Sequence, residues 1–475
     1  MDTLAPPTTT AESTTTPIPT NTPLPASTIV VTEPATDLSP MEESILPMPL
    51  YFGTDTTISR LETDGTTLSP LVTATDLTHW QLATAGTVLY YQAGEKIMRL
   101  DTTSLTTSEI ANDAMPLNKF DLSPDDEALV YVNRENKLIL TDVSGQNKTV
   151  LAEGELPPPE FLSNAANDST WTPGYSIWEL TQQMYNPLWS PTGDQIAFGW
   201  GGVSIVPRTG GQTSHIIDNT VTDELKNENQ PSSYLGHIVQ PRSWSPDGSK
   251  LFLQEEILTV DISEYRLLVE DVNSGTQTVL TLPAIDGVPI SGGISPGFLD
   301  LWSQDSLQLY LWSFGNLLYG STAFMRYDTQ TGGEVTLLTY AGAAPYTLTN
   351  APYETDSGQL YLFVDSRPEF IWPDAPKLYT LYQTTPEFLT TGDVANLVSL
   401  RSDAVAFGYE PGNYLWASNG SGILVRQLTY GEQEGESPYW PVTDSEWLWM
   451  SLDGTQDLVP LPLPKQALQL AWGSN

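Results

Sequence analysis

The chain contains no cysteine. Disulfides, thiolate metal sites and cysteine nucleophiles are therefore excluded, while compartment stays open because many exported bacterial proteins also lack the residue. Basic residues are scarce as well, with 18 Lys and Arg against 58 Asp and Glu, for a formal charge of -40. A field of that sign repels phosphate backbones and anionic lipid headgroups, which argues against a nucleic-acid partner. It leaves three readings: a solubilising surface, attraction of a divalent cation or a basic partner, and adaptation to high salt. Histidine is limited to His79, His215 and His237, with no pair at metal-ligand spacing and no H-E-x-x-H. No cofactor is expected, and a divalent cation is left open. No apolar run reaches the roughly 18 to 20 residues that cross a bilayer as a helix. Met1-Asp2-Thr3 opens directly into polar sequence, so export is expected to depend on a signal outside this sequence.

What is present falls into two parts. Residues 1–44 are a Thr/Pro-rich tract, with no Lys or Arg before Arg60. Such a stretch buries too little apolar surface to offset its ordering entropy, and its prolines favour extended, solvated backbone. Disorder is expected, and at about 3 Å per residue the tract could reach on the order of 100 Å. It would suit a tether to a lipid anchor or a wall, or be a plain flexible tail. From residue 45 to 475 the composition is globular, and 14 Trp with 21 Tyr supply material for a large core.

That second part is repetitive. Leu122-Ser123-Pro124-Asp125-Asp126 precedes ALVYV, Trp189-Ser190-Pro191-Thr192-Gly193 precedes QIAFGW, Trp244-Ser245-Pro246-Asp247-Gly248 precedes KLFLQ, and Trp302-Ser303-Gln304-Asp305-Ser306 precedes QLYLW. Pro presets φ and Gly accepts positive φ in a tight hairpin turn, and the apolar runs on either side suit strands buried on both faces. Weaker copies are read at Ala83, Glu354, Ser399 and Pro441. Each unit continues into a third and a fourth strand, as in IAFGWG, VSIVPRTG and QTSHII from Ile196. Four antiparallel strands per unit make a propeller blade.

The string W-S-P-D-G before an apolar strand resembles the WD40-like repeat of TolB and of the propeller domains of prolyl-oligopeptidase-type peptidases. The resemblance covers nearly everything after the tract and implies an all-β propeller. Residues 50–73 match strands two to four of a blade, and Leu470-Ala471-Trp472-Gly473 matches an orphan first strand. Pairing residues 50–73 with 466–475 would close the ring and remove both edges. Nine first strands can be counted literally. With the unit at Pro441 read as truncated, eight blades are expected, seven or nine being the alternatives. The peptidases of this resemblance add a hydrolase domain with a Gly-x-Ser-x-Gly elbow and a downstream histidine, and neither is expected here. TolB places an α/β domain before its propeller, where this chain has only the Thr/Pro tract.

Blade geometry makes connection type a map of the two faces. Blade-to-blade connections are read at 152–185, 218–240 and 281–297, and second-to-third connections at 255–264 and 365–377. All five fall on one face, opposite the short W-S-P-D-G turns. Long loops on a rigid scaffold commonly carry binding residues. The candidates are Phe161, Trp171, Tyr175 and Trp178 in the first connection, Tyr234 and His237 in the second, and Phe370 and Trp372 in the last. Exposed aromatics stack on sugars or anchor protein interfaces, and the alternative is that they pack back on the blades. Glu179, Asp223, Glu224, Glu255 and Asp365 lack the spacing of a calcium loop. Trp189, Trp244 and Trp302 are expected between blades, and Asp125 and Asp247 as turn formers. The sequence reads best as an extracytoplasmic, non-catalytic module holding a protein or glycan. A carbohydrate-active enzyme with paired acids in the central depression and a repeated cell-surface component are the rivals. The sequons at Asn147, Asn167 and Asn419 bear only on a eukaryotic secretory host.

Overall fold

A computed structural model describes residues 44–116, 118–159, 177–221, 234–259, 264–281, 284–285, 288–289, 297–314, 323–339, 348–365, 378–401, 403–407, 412–432, 441–454, 457–465 and 467–474. The Thr/Pro tract through residue 43 lies outside that set.

The recurring pentapeptide folds as one turn repeated around the molecule. At Ser123, Ser190, Ser245 and Ser303 the backbone N–H of the serine donates to the carbonyl five residues on, at 2.8 to 3.0 Å, and the N–H three residues on returns to the serine carbonyl. The serine hydroxyl accepts from the first N–H of the following strand, at 2.9, 3.1, 2.9 and 2.8 Å respectively. It donates in turn to a carboxylate within the same turn, Asp125, Asp194, Asp247 or Asp305. The fourth turn residue takes a left-handed φ, +70° at Gly248, +58° at Asp126 and +62° at Ser306. Glycine is preferred there because a Cβ is penalised in that region.

These turns join the first and second strands of blades 3 to 6 in a ring of eight antiparallel blades, each built on four strands. Blade 1 holds Leu50–Gly53, Thr57–Leu61 and Leu68–Thr73, and its first strand is Gln469–Trp472 from the other end of the chain. Leu50 pairs with Trp472 and Gly53 with Gln469, so no edge is left at the seam. Blade 2 runs from Leu77 to Ala111, blade 3 from Asp121 to Glu153 and blade 4 from Met184 to Asp218. Blade 5 begins at Tyr234–Trp244 and ends at Thr276–Leu280, with the two-residue strand Thr220–Val221 added beside its first. Blades 6, 7 and 8 span Gly297–Thr339, Leu348–Ser399 and Tyr414–Leu461.

The core is divided rather than single. Eight apolar clusters are found among the described residues, one between each successive pair of blades around the circle. Second strands feed two clusters at once: Leu129 and Tyr131 face blade 2, whereas Ala128, Val130 and Val132 face blade 4. That is why these strands read as unbroken apolar runs.

The eight-blade count is right, but two of the units behind it are not. Val398–Ser399 is the fourth strand of blade 7, pairing with Tyr382 and Gln383, and so starts no blade. The segment after Pro441 is the third strand of blade 8, Val442–Ser451. The hairpin of blade 8 lies instead at Trp416-Ala417-Ser418-Asn419-Gly420, where Ala417 and Gly420 make the repeated turn bonds. Replacing Ser by Ala at its second position hid this copy. Removing two units from nine and adding one gives eight.

Two connections are also shorter than expected, because strands claim their residues. The first strand of blade 5 takes in residues 234–240, and its second strand, Lys250–Thr259, takes in 255–259. His237 and Glu255 are therefore strand residues. Since the turn at Ser245 fixes one end, the extra length emerges on the opposite face. Blade 8 repeats the pattern in Gly422–Tyr430 and Val442–Ser451. Four residues beyond a usual strand add about 13 Å.

Candidate functional site

First strands of neighbouring blades meet around the centre, and their side chains hold the ring together. The indole N–H of Trp189 donates to the carbonyl of Asp121 at 3.2 Å, and that of Trp244 to Leu188 at 3.1 Å. Trp302 reaches the Ser243 hydroxyl at 3.0 Å, Trp416 the Ala351 carbonyl at 3.0 Å and Trp472 the Trp416 carbonyl at 2.8 Å. Each bond runs to the first strand of the preceding blade. Trp189, Trp244 and Trp302 are buried, as expected. In blade 7 the tryptophan position is Glu354, whose carboxylate accepts from the Gln304 N–H of blade 6 at 2.7 Å. Asp125 and Asp247 are turn formers, again as expected. Partial burial works against ionisation in both, yet hydrogen bonds outweigh it and hold each carboxyl down to about 2, those of Arg208 and Ser123 to Asp125, and those of Ser245 and Ser249 to Asp247.

Two inner-strand carboxylates behave in the opposite way. Burial pushes Asp121 up to about 6 although Gln81, Trp189 and Leu122 favour its charged form, and burial also raises Asp300 against Ser243 and Arg242. Asp121 accepts from the Gln81 amide of blade 2 at 2.8 Å and from the Trp189 N–H of blade 4 at 2.7 Å. Asp300 accepts from the Ser243 hydroxyl of blade 5. Both carboxylates thus bridge blades. His79, beside Phe120 at 4.8 Å, is driven down to about 4 by burial and by the charge of Lys119, against a backbone hydrogen bond at Phe120.

On the opposite face from the turns, the sequence candidates fare unequally. Phe161, Trp171, Tyr175, Phe370 and Trp372 lie outside the described residues. Tyr234 opens the first strand of blade 5. Trp178 sits in a short helix, Ile177–Thr181, and packs half-buried against the cluster between blades 3 and 4. Asparagines hold that helix in place. Asn136 donates to the Gln182 carbonyl at 2.7 Å and accepts from Met184 N–H at 2.8 Å, while Asn219 donates to the Leu180 carbonyl at 2.7 Å. Nothing in the repeat pattern marks Asn136 or Asn219 as special.

His237 belongs to a charged group on the extended part of blade 5. Its Nδ1 lies 2.5 Å from Glu255 Oε1, and Arg266 Nη1 lies 3.3 Å from Glu255 Oε2. Cross-strand pairing puts Glu255 directly opposite Arg266, with His237 opposite Ile257 two residues further along the same side. Glu255 is buried. A carboxylate so placed fixes the imidazole orientation and offers a polar patch able to hydrogen-bond a ligand. Among the described residues no group of three or more His, Asp or Glu is arranged to hold a metal ion. No described helix is long and apolar enough to cross a membrane.

One hydrolase-like string does occur: Gly293-Ile294-Ser295-Pro296-Gly297 has the Gly-x-Ser-x-Gly spacing. The residue after the serine must lend its N–H to an oxyanion hole, and Pro296 has none. No histidine follows it in the chain.

No family model and no curated protein match this chain. Solved structures do. A dihydro-heme d1 dehydrogenase aligns at 11% identity over 87% of this chain and 73% of its own, with a TM-score of 0.48. Dipeptidyl peptidase 4 of Porphyromonas gingivalis aligns at 12% over 82% and 53%, with 0.46. Oligogalacturonate lyase of Vibrio parahaemolyticus aligns at 10% over 65% and 79%, with 0.39. Likenesses of this size carry no conclusion about what the chain binds or does.

Proposed function

We propose that the chain is an extracytoplasmic binding module that holds a protein or glycan on the face opposite the repeated turns, with the Thr/Pro tract as its tether. One observation carries this reading: the repeated first-to-second turns are short, whereas the opposite face receives the extended strands of blades 5 and 8 and the long blade-to-blade connections. A long connection on the turn side, between Gln383 and Val398 in blade 7, is folded into the short helices Pro386–Thr391 and Val394–Asn396 and buries Phe388 between blades 6 and 7. A rigid ring whose strand ends and blade-to-blade connections vary on the side opposite its repeated turns has the form of a scaffold presenting loops. The group His237, Glu255 and Arg266 contributes polar contacts there, and Trp171 and Trp372 are the aromatic anchors. The kinship with the TolB-like repeat belongs to this proposal too.

The test uses the full chain, screened against a glycan array and by cross-linking in envelope extract, beside a W171A/W372A double variant. Capture of a defined glycan or protein that the double variant loses by tenfold or more, with an unchanged melting temperature, supports the reading. Capture that survives the double variant sinks it. Turnover of a captured glycan would instead favour a carbohydrate-active enzyme.

A further inference from the structure

The turn face carries a pocket of its own, at the seam where the ring closes. It encloses about 340 Å³ and is formed by three consecutive blades: Gln469, Ala471 and Trp472 of blade 1, Trp80 to Thr84 of blade 2, and Leu122 to Pro124 with Asp126 of blade 3. That volume lies at the lower end of ordinary ligand sites. It takes a single side-chain end or a small molecule.

The lining decides the chemistry. Its residues include Trp472, Gln81, Gln469, Thr84 and Ser123, with one charged residue, Asp126, and neither lysine nor arginine. Asp126 makes no ion pair among the described residues, although its neighbours Asp125 and Glu127 both lie within ion-pair distance of Arg208. Its Oδ2 accepts from Thr84 N–H at 2.9 Å and its Oδ1 from the Thr84 hydroxyl at 3.3 Å. A carboxylate has about four acceptor positions, so two remain. The turn holds Asp126 at φ +58°, which fixes where the charge stands. Half-buried Trp472, which also lines the pocket, is itself fixed by the bond of its indole N–H to the Trp416 carbonyl. A carboxylate and a tryptophan lining one pocket, in a protein of formal charge -40, favour a cation and disfavour an anion.

We infer that this pocket binds the ammonium or guanidinium end of a lysine or arginine side chain from a partner polypeptide, on the face away from the site proposed above. Asp126 receives the cationic head and Trp472 flanks its aliphatic stem.

The experiment titrates full-length protein with tri-lysine and with its Nε-acetylated form at low ionic strength, read by calorimetry and by the indole N–H resonances. Tri-lysine is expected to saturate and to move the Trp472 resonance, whereas the acetylated peptide does neither. D126N keeps a residue that tolerates positive φ, so the turn persists while the charge goes, and affinity should fall about tenfold with an unchanged melting temperature. E127Q removes the adjacent carboxylate, which does not line the pocket, and should change affinity less than twofold. Equal losses in D126N and E127Q would reveal general attraction to an acidic surface and overturn the assignment. So would a Trp472 resonance unmoved in the unmodified protein, a readout that needs no variant, or binding of maltotriose in place of tri-lysine.

Discussion

The two faces of this ring are written by different rules. On the turn face, Ser123, Ser190, Ser245 and Ser303 repeat one hydrogen-bond scheme, and the tryptophan before three of them reaches back to the preceding blade. On the other face, strand ends vary, so that the second strand of blade 3 stops after Ala128–Val132 while that of blade 5 continues through Lys250–Thr259. The difference teaches that closure is set by groups near the axis and the turns. Once those are satisfied, the opposite ends are free to diverge.

The comparison is broken most severely by removing a staple. Trp244 is buried between blades 4 and 5 and bonds to Leu188. Trp244→Ala should cost about 3 to 5 kcal/mol, as core Trp truncations do. Urea unfolding measures it, and a cost below about 1 kcal/mol would show that the ring does not depend on this position. Trp178→Ala on the other face should fall between, at about 2 kcal/mol, because only part of the indole meets the cluster of blades 3 and 4. If it costs nothing and abolishes partner capture, Trp178 is a binding residue after all.

This asymmetry also explains what could be read in advance. W-S-P-D-G strings report the turn face, and they mark blades 3 to 6 because Ser and Asp supply the side-chain hydrogen bonds that reinforce the turn there. Trp416-Ala417-Ser418-Asn419-Gly420 keeps the backbone scheme without the serine hydroxyl, and so escaped notice. Strand length on the far side carries no such marker. Residues 234–240 and 255–259 show no clean apolar–polar alternation and contain His237, Glu255 and Glu256, polar enough to pass for a loop. The pairing of His237 with Glu255 depends on register, which a single strand does not disclose. Asn136 and Asn219 act through backbone carbonyls tens of residues away, and their type alone gives no warning.

Between the faces, the inner strands hold two groups whose titrations oppose. His79 stays neutral to about pH 4 in the fold but ionises near 6.5 when unfolded, so its contribution is complete above 6.5 and is lost as pH falls toward 4. Asp121 is raised to about 6, so its contribution is complete below the ordinary 3.8 and is lost as pH rises through 6. Each changes stability by up to about 1.4 kcal/mol per pH unit, with opposite sign between 4 and 6. Relative to the unmodified protein, His79→Gln should therefore make stability fall more as pH rises from 4 to 6. Asp121→Asn should make it rise more. Urea midpoints at half-unit pH steps test both, and parallel curves for all three proteins would show that neither group is desolvated as the fold implies.

The smallest effect belongs to the turn itself. Asp247 is held down to about 2 by hydrogen bonds that outweigh its slight burial, so it contributes stability that is present above 3.8 and disappears as pH falls toward 2. The side chain is exposed, which screens the effect to below about 1 kcal/mol. Asp247→Asn should thus flatten unfolding curves between pH 4 and 2 while leaving neutral stability nearly unchanged, since Asn can still accept from the Ser245 hydroxyl and Ser249 N–H. A loss as large at pH 7 as that of Trp244→Ala would mean the turn, rather than the indole staple, governs closure, because both changes act on the same hairpin through different groups.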